Sequence, residues 1–208
     1  MKKKLIVLLV LLTLGTGLYA QQAGTRFFGF RLGGAFGLWA GLEDDRHYIF
    51  NGWGYYDFEE SNRLNFNFAV YYAYTFRNNL SLQMELNFMV NQGFEEERQR
   101  GPHVGEERRT TEITYTSLDI PILLRYSFFH GLLGFLIGPH ISIPIAGDFS
   151  EDASITFGLT VGGRGTMAVG QRGYIVGEMR FLADFNEVFD DGRRRQALAI
   201  TLGYEWSF

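Results

Sequence analysis

The sequence lacks cysteine and has only 4 prolines in 208 residues. Without cysteine the chain can form no disulfide framework, no thiolate metal site and no lipoprotein anchor on an acylated cysteine. Basic residues are not in excess either, because 19 lysines and arginines stand against 23 aspartates and glutamates. This balance gives no indication of nucleic-acid binding. Glycine, with 26 residues, and aromatic side chains, at 16%, are abundant, a composition that suits long β-strands.

Long apolar runs are also missing. Residues 1–20 have the parts of a secretory signal peptide: lysines at 2–4, an apolar segment at 5–14, and small residues before a predicted cut between Ala20 and Gln21. The apolar segment is too short to cross a bilayer as a helix, and no later segment offers about 18 uninterrupted apolar residues. We therefore predict an exported mature domain, residues 21–208, that is either soluble or a β-barrel.

Residues 63–91 show the pattern from which the rest of the chain can be interpreted. Leu64 to Phe76 and Leu80 to Val90 carry an apolar or aromatic side chain at every second position, with a break at residues 77–79. A period of two predicts strands. Each run is about twice the usual 5–6 residues and is long enough for a transmembrane strand of about 9–11 residues. The pattern predicts a hairpin with its apolar face toward lipid.

The same alternation recurs along the chain and predicts eight strands. The longest connections, residues 43–62 and 93–110, alternate with short turns, as in outer-membrane barrels with short periplasmic turns and longer extracellular loops. We expect a β-bulge near residues 116–117 and an irregularity at Pro121. The prediction is an all-β, eight-stranded antiparallel transmembrane barrel, and a soluble β-sandwich is the alternative. Its strands span residues 25–42, 63–76, 80–91, 111–128, 132–145, 154–169, 174–187 and 195–208.

Aromatic residues cluster at the predicted periplasmic ends of the strands. Barrels carry such girdles at the membrane interface, where rings with a polar tip are stable. The predicted girdle consists of Tyr72, Tyr74, Phe76, Tyr126, Phe128, Tyr174, Tyr204, Trp206 and Phe208.

The C-terminus resembles the assembly signal of bacterial outer-membrane proteins. Phe208 is preceded by Trp206 and Tyr204 at alternate positions. The segments SLDIPILLRY (residues 117–126) and GPHIS (residues 138–142) resemble the outer membrane protein β-barrel domain family, which is related to OmpA- and OmpX-like small barrels of Bacteroidetes and spirochaetes. The resemblance implies an eight-stranded barrel in the bacterial outer membrane, assembled by periplasmic chaperones and the barrel-assembly machinery. It implies no catalytic residue set.

Charged residues occupy the predicted inner face in balanced number. Eight strands leave an interior just wide enough for side chains, and charges buried there must pair. From strand adjacency we predict the pairs Glu85–Arg125 and Glu205–Arg31. The sequence thus predicts a lumen filled by salt bridges, and a narrow charge-lined channel is the alternative. The predicted set is Arg31, Glu85, Asp119, Arg125, Arg164, Glu178, Arg180 and Glu205.

His140 and Ser142 form a His-x-Ser pair on the fifth predicted strand. Small barrels that deacylate lipid A use such a pair, facing lipid and close to a carboxylate. The alternation instead places both residues inward, which disfavours an enzyme. The histidines at 47, 103 and 130 lie on predicted loops and a turn, and we expect no metal or cofactor.

The long loops complete the functional prediction. Residues 43–62 are rich in aromatic side chains and form either a partner-binding surface or a hairpin that extends the barrel wall, and residues 93–110 carry charges of both signs. The sequence predicts a monomeric, non-enzymatic outer-membrane barrel with a structural or surface-interaction role, in contact with lipid and open to an extracellular ligand through these loops. The alternatives are a small porin-like channel and, less favoured, a lipid A-modifying enzyme.

Overall fold

The computed structural model describes residues 23–40, 47–48, 55–62, 64–101, 105–147, 154–187 and 194–208. The predicted signal peptide and its cut lie outside these residues. So do the side chains of residues 38–64 and 91–113. The strands are β1 (Arg26–Ala40), β2 (His47–Tyr48), β3 (Tyr55–Asn62), β4 (Leu64–Arg77), β5 (Leu80–Gly101), β6 (Gly105–Phe128), β7 (Leu133–Gly147), β8 (Thr156–Val169), β9 (Gly173–Asp184) and β10 (Arg194–Ser207).

Eight of these strands form a closed antiparallel barrel in the order β1-β4-β5-β6-β7-β8-β9-β10. Following register partners once around the wall from Arg26 leads back to Phe36 on the same strand, ten residues further along. A stagger of this kind is what closing a tilted sheet requires. The path runs Arg26, Tyr74, Leu82, Leu124, Ile137, Val161, Phe181, Leu198, Phe36.

Both ends of the chain's barrel segment and all the short connections lie at one end of the barrel. The amide of Arg26 donates to the carbonyl of Phe208, and the amide of Ser207 donates to the carbonyl of Arg172 in the β8–β9 turn. Asn79 and His130 adopt positive φ angles of 68° and 58° in the other two turns, a backbone region that tight turns require. The eight predicted strands and their short turns are therefore confirmed.

The described parts of the segment 93–110, predicted as a loop, are strand instead: residues 93–101 belong to β5 and residues 105–110 to β6. β5 and β6 remain paired from Gly93↔Ile113 to Gly101↔Gly105, and β3 pairs with β5 beside them. The loop prediction was wrong because backbone hydrogen bonding between β5 and β6 continues past the barrel wall, and charged side chains do not prevent strands from pairing. The Gly101–Pro102 pair falls where β5 ends.

The barrel has an apolar outer wall and a polar interior. Outward side chains are exposed, such as Leu202 at 62%, whereas inward side chains such as Arg125 are fully buried. The predicted register shift is present at Thr116/Ser117. At Pro121 the ladders are interrupted, at Ile120 and Pro121 on the β5 side and at Ile122 and Leu123 on the β7 side, while the register is the same before and after each gap. Tyr174 departs from the predicted girdle, because its ring packs at 6.1 Å against Phe27 inside the barrel. No helix in the described part of the chain could span a membrane.

Candidate functional site

The lumen holds all eight residues of the predicted charge set. Each is at most 4% exposed, and each projects inward because alternate residues of every barrel strand do so. We divide them by height. The lower ion cluster, toward the short turns, consists of Arg31, Glu85, Arg125, Arg164, Glu178, Arg180 and Glu205. The upper ion cluster, nearer the long connections, consists of Asp119 together with Asp184 and Arg195.

Glu85 on β5 lies between two arginines. Its two carboxylate oxygens accept hydrogen bonds of 2.9 and 2.7 Å from Arg31 on β1 and of 2.8 and 2.7 Å from Arg180 on β9. Both guanidinium groups bind in the two-pronged manner that makes arginine–carboxylate pairs strong. Glu178 lies 2.5 Å from Arg180 and 3.4 Å from Arg31. Four side chains from three strands thus form one compact unit.

Glu205 on β10 is the centre of the second half of the lower ion cluster. Arg125 reaches it at 3.1 Å and Arg164 at 2.8 Å, and the Tyr71 hydroxyl donates to it at 3.1 Å. Phe27 closes the group from below, with the Arg125 guanidinium carbon 4.7 Å from its ring centroid. A cation over an aromatic face in a dry site is stabilised by the ring quadrupole.

Gln83 joins the two halves of the lower ion cluster. Its amide nitrogen donates to Glu85 at 2.6 Å, and its amide oxygen accepts from Arg125 at 3.4 Å. Nothing in the sequence distinguishes this residue beyond its position on the inward face of the strand. A neutral side chain between two charged groups satisfies donors on one side and acceptors on the other.

The predicted partners are exchanged in the structure. Glu85 binds Arg31 rather than Arg125, and Glu205 binds Arg125 rather than Arg31. Arg125 lies opposite Ser81 in the β5–β6 register. Glu85 is therefore four residues away along β5, about 13 Å at ~3.3 Å per residue. Strand adjacency was the wrong criterion, because long side chains in a narrow barrel reach across the lumen.

The upper ion cluster contains two residues outside the predicted set. Arg195 lies 3.2 Å from Asp119 and, through its Nε, 3.2 Å from Asp184. The Thr156 hydroxyl donates to Asp184 at 2.8 Å. The signal for Arg195 was present in the sequence, since counting back by two from Thr201, Ala199 and Ala197 places it inward.

His140 belongs to this upper group and does not face lipid. Its Nε2 lies 2.7 Å from Asp184 and its Nδ1 lies 3.0 Å from the Thr160 hydroxyl. His140 and Ser142 are 1% and 4% exposed, which agrees with the inward position predicted from the alternation. Both ring nitrogens are occupied by protein partners.

Buried charges balance in number among the described residues. Five arginines (Arg31, Arg125, Arg164, Arg180, Arg195) accompany five carboxylates (Glu85, Asp119, Glu178, Asp184, Glu205). Within the described part of the chain no group of three or more His, Asp or Glu could hold a metal ion. Arginine neutralises the interior carboxylates instead.

An eight-stranded closed barrel with an apolar exterior and polar, inward-facing side chains is the architecture of small bacterial outer-membrane proteins. The family model described as "Outer membrane protein beta-barrel domain" matches residues 19–207. The chain belongs to this family and is a protein of the bacterial outer membrane. The predicted membership, fold and location are confirmed.

Two solved structures support the fold. The outer membrane protein OprG from Pseudomonas aeruginosa is similar with a TM-score of 0.54 and 9% identity, over 92% of this chain and 99% of that one. Neisserial surface protein A gives a TM-score of 0.50 and 11% identity, over 89% of this chain and 99% of that one. No curated protein sequence matches. At identities this low, the structural similarity establishes the shared barrel fold alone.

Proposed function

We propose that this protein is a non-enzymatic outer-membrane barrel whose lumen is closed by the two ion clusters. The observation that carries the proposal is that three ion pairs join opposite walls: Arg180–Glu85, Arg125–Glu205 and Arg195–Asp119. In each pair the two strands lie four positions apart in the ring of eight. An eight-stranded interior has little space beyond its side chains, so bridges at two heights favour a closed lumen over a channel.

Conductance in planar bilayers tests this proposal against the channel alternative. We expect no steady conductance from the wild-type barrel. A steady conductance that falls in the charge-reversal variants Glu178→Lys and Arg180→Glu would overturn the proposal and establish the channel. Glu187→Lys is the matched control, because Glu187 is exposed at the end of the barrel that bears the long connections.

The surface role is assigned to the hairpin formed by the upper parts of β5 and β6. These strands stay paired for about ten residues above Tyr115↔Gly147, where the β6–β7 ladder ends. At ~3.3 Å per residue this adds about 33 Å of sheet, which no membrane crossing requires. Such a projection suits contact with an extracellular ligand through residues 43–62 and 93–110.

Replacing residues 93–113 with an Asn-Gly turn separates the surface role of these strands from the formation of the membrane barrel. The remaining strands are long enough to cross the membrane, so we expect an intact barrel with heat-modifiable mobility on gels. An arginine-specific protease added to intact cells should cut the wild-type chain within residues 93–113, which contain four arginines, and should give none of these fragments from the shortened chain. A wild-type chain that the protease does not cut there on intact cells would contradict exposure of this projection to an extracellular ligand.

The non-enzymatic assignment is supported by the position of His140 and Ser142 inside the wall, away from membrane lipid. A lipid A deacylation assay with purified wild type and the His140→Ala variant tests it. We expect no deacylation by either protein. Activity in wild type that His140→Ala abolishes would establish the enzyme alternative.

Export and assembly complete the proposal. Residues 1–20 direct secretion, and Tyr204, Trp206 and Phe208 form the signal that the barrel-assembly machinery recognises. The three rings project from the outer face of β10, which seals the barrel against β1. Deleting Phe208 should reduce the amount of heat-modifiable barrel in outer membranes, and unchanged levels would contradict this role.

A further inference from the structure

The outer wall contains an open groove. It has a volume of about 820 Å³ and is bordered by Phe128, Leu133, Met179 and Leu202. Arg164 and Glu178 of the lower ion cluster also contribute to its lining. Its floor is made by three glycines, Gly163 and Gly165 on β8 and Gly177 on β9. Gly165 and Gly177 are register partners, so the floor is continuous across two strands.

These glycines are not explained by packing within the protein. A Cβ at Gly158 would lie 2.2 Å from the carbonyl oxygen of Ala183, and one at Gly203 would lie 2.2 Å from that of Phe30. A Cβ at Gly163 or Gly177 would meet nothing within 4 Å, and one at Gly165 would have its nearest contact at 3.9 Å. Glycine inside a strand destabilises it and often marks the close approach of a ligand.

The geometry points to a phospholipid acyl chain of the periplasmic leaflet as the occupant of this groove. Gly165 is four residues from the end of β8 at Val169, about 13 Å along the strand at ~3.3 Å per residue. The groove therefore lies in the half of the roughly 30 Å hydrocarbon layer nearest the short turns. An apolar floor at this depth faces acyl chains.

Arg172 supplies a partner for the lipid headgroup. It is exposed in the turn that joins β8 to β9, the two strands that carry the glycines. A cation at the membrane surface attracts an anionic headgroup. A phospholipid with a net negative headgroup can thus place that headgroup beside Arg172 and lay a chain over Gly165, Gly177 and Gly163.

A second copy of the barrel fits this site less well. A barrel wall is convex and covered by projecting side chains, so two walls touch along a ridge and leave a recess unfilled. A flexible acyl chain follows the recess and gains dispersion contacts along its length. Packing contacts of this kind decide association within a bilayer, where apolar burial alone gives no gain.

Photo-cross-linking of the full barrel tests the assignment. The protein is reconstituted in phosphatidylethanolamine vesicles with a trace of phosphatidylglycerol carrying a diazirine in one acyl chain, and cross-linked peptides are mapped after irradiation. We expect cross-links to concentrate on β8, β9 and β10. In Gly163→Val/Gly165→Val/Gly177→Val, yield there should fall about tenfold, as the loss of roughly ten carbon contacts would produce.

Two further variants make the test specific. Val70→Phe adds four side-chain carbons, as many as Gly165→Leu, to the outer face of β4, opposite β8 in the ring of strands, and should leave the cross-links unchanged. Arg172→Gln should lower the yield with phosphatidylglycerol but not with a phosphatidylcholine probe. Heat-modifiable mobility verifies folding, and the single variant Gly165→Leu replaces the triple variant if the latter does not fold.

Each other outcome overturns the assignment. Cross-links spread evenly over all eight strands would mean ordinary annular lipid. Barrel-to-barrel cross-links that the triple variant abolishes would identify a second copy as the occupant. An unchanged map in the folded triple variant or in Gly165→Leu would show that the glycines are not the binding surface. None of these results depends on whether the lumen conducts.

Discussion

Single residues in this protein show why arginine, rather than lysine, neutralises the lumen. Lysine occurs only at positions 2–4. Glu85 accepts paired hydrogen bonds from Arg31 and from Arg180, and only a planar guanidinium can supply two parallel donors to one carboxylate. An ammonium group would leave one oxygen without that donor. The two parallel donors of the guanidinium group therefore decide which cation can occupy the interior.

Glu85→Gln should destabilise the barrel strongly. The neutral amide removes the charge that Arg31 and Arg180 share, and breaking a buried ion pair in this way costs ~3–5 kcal/mol. The free energy of unfolding, measured by urea titration in vesicles, reports the loss. Glu187→Gln, at an exposed carboxylate, should stay within about 0.5 kcal/mol of wild type. Equal effects of the two variants would show that the Glu85 contacts contribute nothing.

Arg180→Lys tests the geometry of the pair at constant charge. Lysine can make one contact with Glu85 in place of the two bonds of 2.8 and 2.7 Å, so we expect a loss of ~1.5–3 kcal/mol, the value of one charge-assisted hydrogen bond. The matched control is Arg172→Lys in the exposed turn, which should be neutral in the same titration. An Arg180→Lys variant as stable as wild type would show that the charge at this position matters and the paired hydrogen bonds do not.

The alternation of apolar and polar residues predicts which side of the sheet a residue faces, but it does not predict which residue it contacts. It was sufficient to put Glu85, Arg125 and His140 inside the barrel. It could not identify their partners, because the distance across the lumen depends on tilt and stagger, which involve all eight strands. Arg195 was not in the predicted charge set, although the predicted strand 195–208 begins with it and the alternation places it inward.

At the scale of the strands, close approach of backbones explains where inward glycines are required. Gly158 on β8 faces His140 on β7, and a Cβ there would lie 2.5 Å from the His140 ring and 2.2 Å from the Ala183 carbonyl oxygen. Gly163 on the same strand faces outward with no atom within 4 Å of its Cβ position. Two glycines five residues apart thus have opposite tolerance for a side chain.

Gly158→Ala and Gly163→Ala form a matched pair on β8. The first should cost ~1–3 kcal/mol, the usual effect of overpacking, because a backbone carbonyl cannot move away without disturbing β9. The second should be neutral or stabilise by about 0.5–1 kcal/mol, since it removes the entropic cost of glycine in a strand. Urea unfolding in vesicles measures both, and a costly Gly163→Ala would contradict the open position of its Cβ.

Strand boundaries in the membrane were predictable and the extracellular ones were not. Inside the bilayer, lipid on one side and a crowded lumen on the other impose a strict period of two, and even the register shift at Thr116/Ser117 left its mark as a change of phase. Beyond the bilayer no lipid layer requires an apolar face, so the sequence of residues 93–110 lacks that period. Backbone pairing continues there, although the side chains show no alternation from which it could be predicted.

For the whole molecule, the ion pairs act as ties across the barrel. Arg180–Glu85 joins β9 to β5, Arg125–Glu205 joins β6 to β10, and Arg195–Asp119 joins β10 to β6 at the other height. Hydrogen bonds between strands hold neighbours around the ring, and these pairs connect strands that share no backbone contact. The barrel is thereby braced along two diameters.

Double-mutant cycles can separate bracing across the lumen from pairing along the wall. Residues in direct contact show coupling energies of about 0.5–3 kcal/mol, and Arg125 with Glu205, 3.1 Å apart, should lie in the upper part of that range. Arg125 and Glu85, on adjacent strands, are linked through Gln83, so their coupling should be the smaller of the two, at the lower end of that range near ~0.5 kcal/mol.

The cycles use Arg125→Met, Glu205→Gln and Glu85→Gln singly and in the two pairs, with unfolding followed in urea. Larger coupling for the adjacent-strand pair than for the cross-lumen pair would contradict bracing, and would show that proximity in the sheet governs the energetics after all. The expected order has a mechanical consequence. A barrel tied across its diameters resists flattening, so removing Glu205 should loosen β6 and β10 together in hydrogen exchange while leaving β7 unchanged.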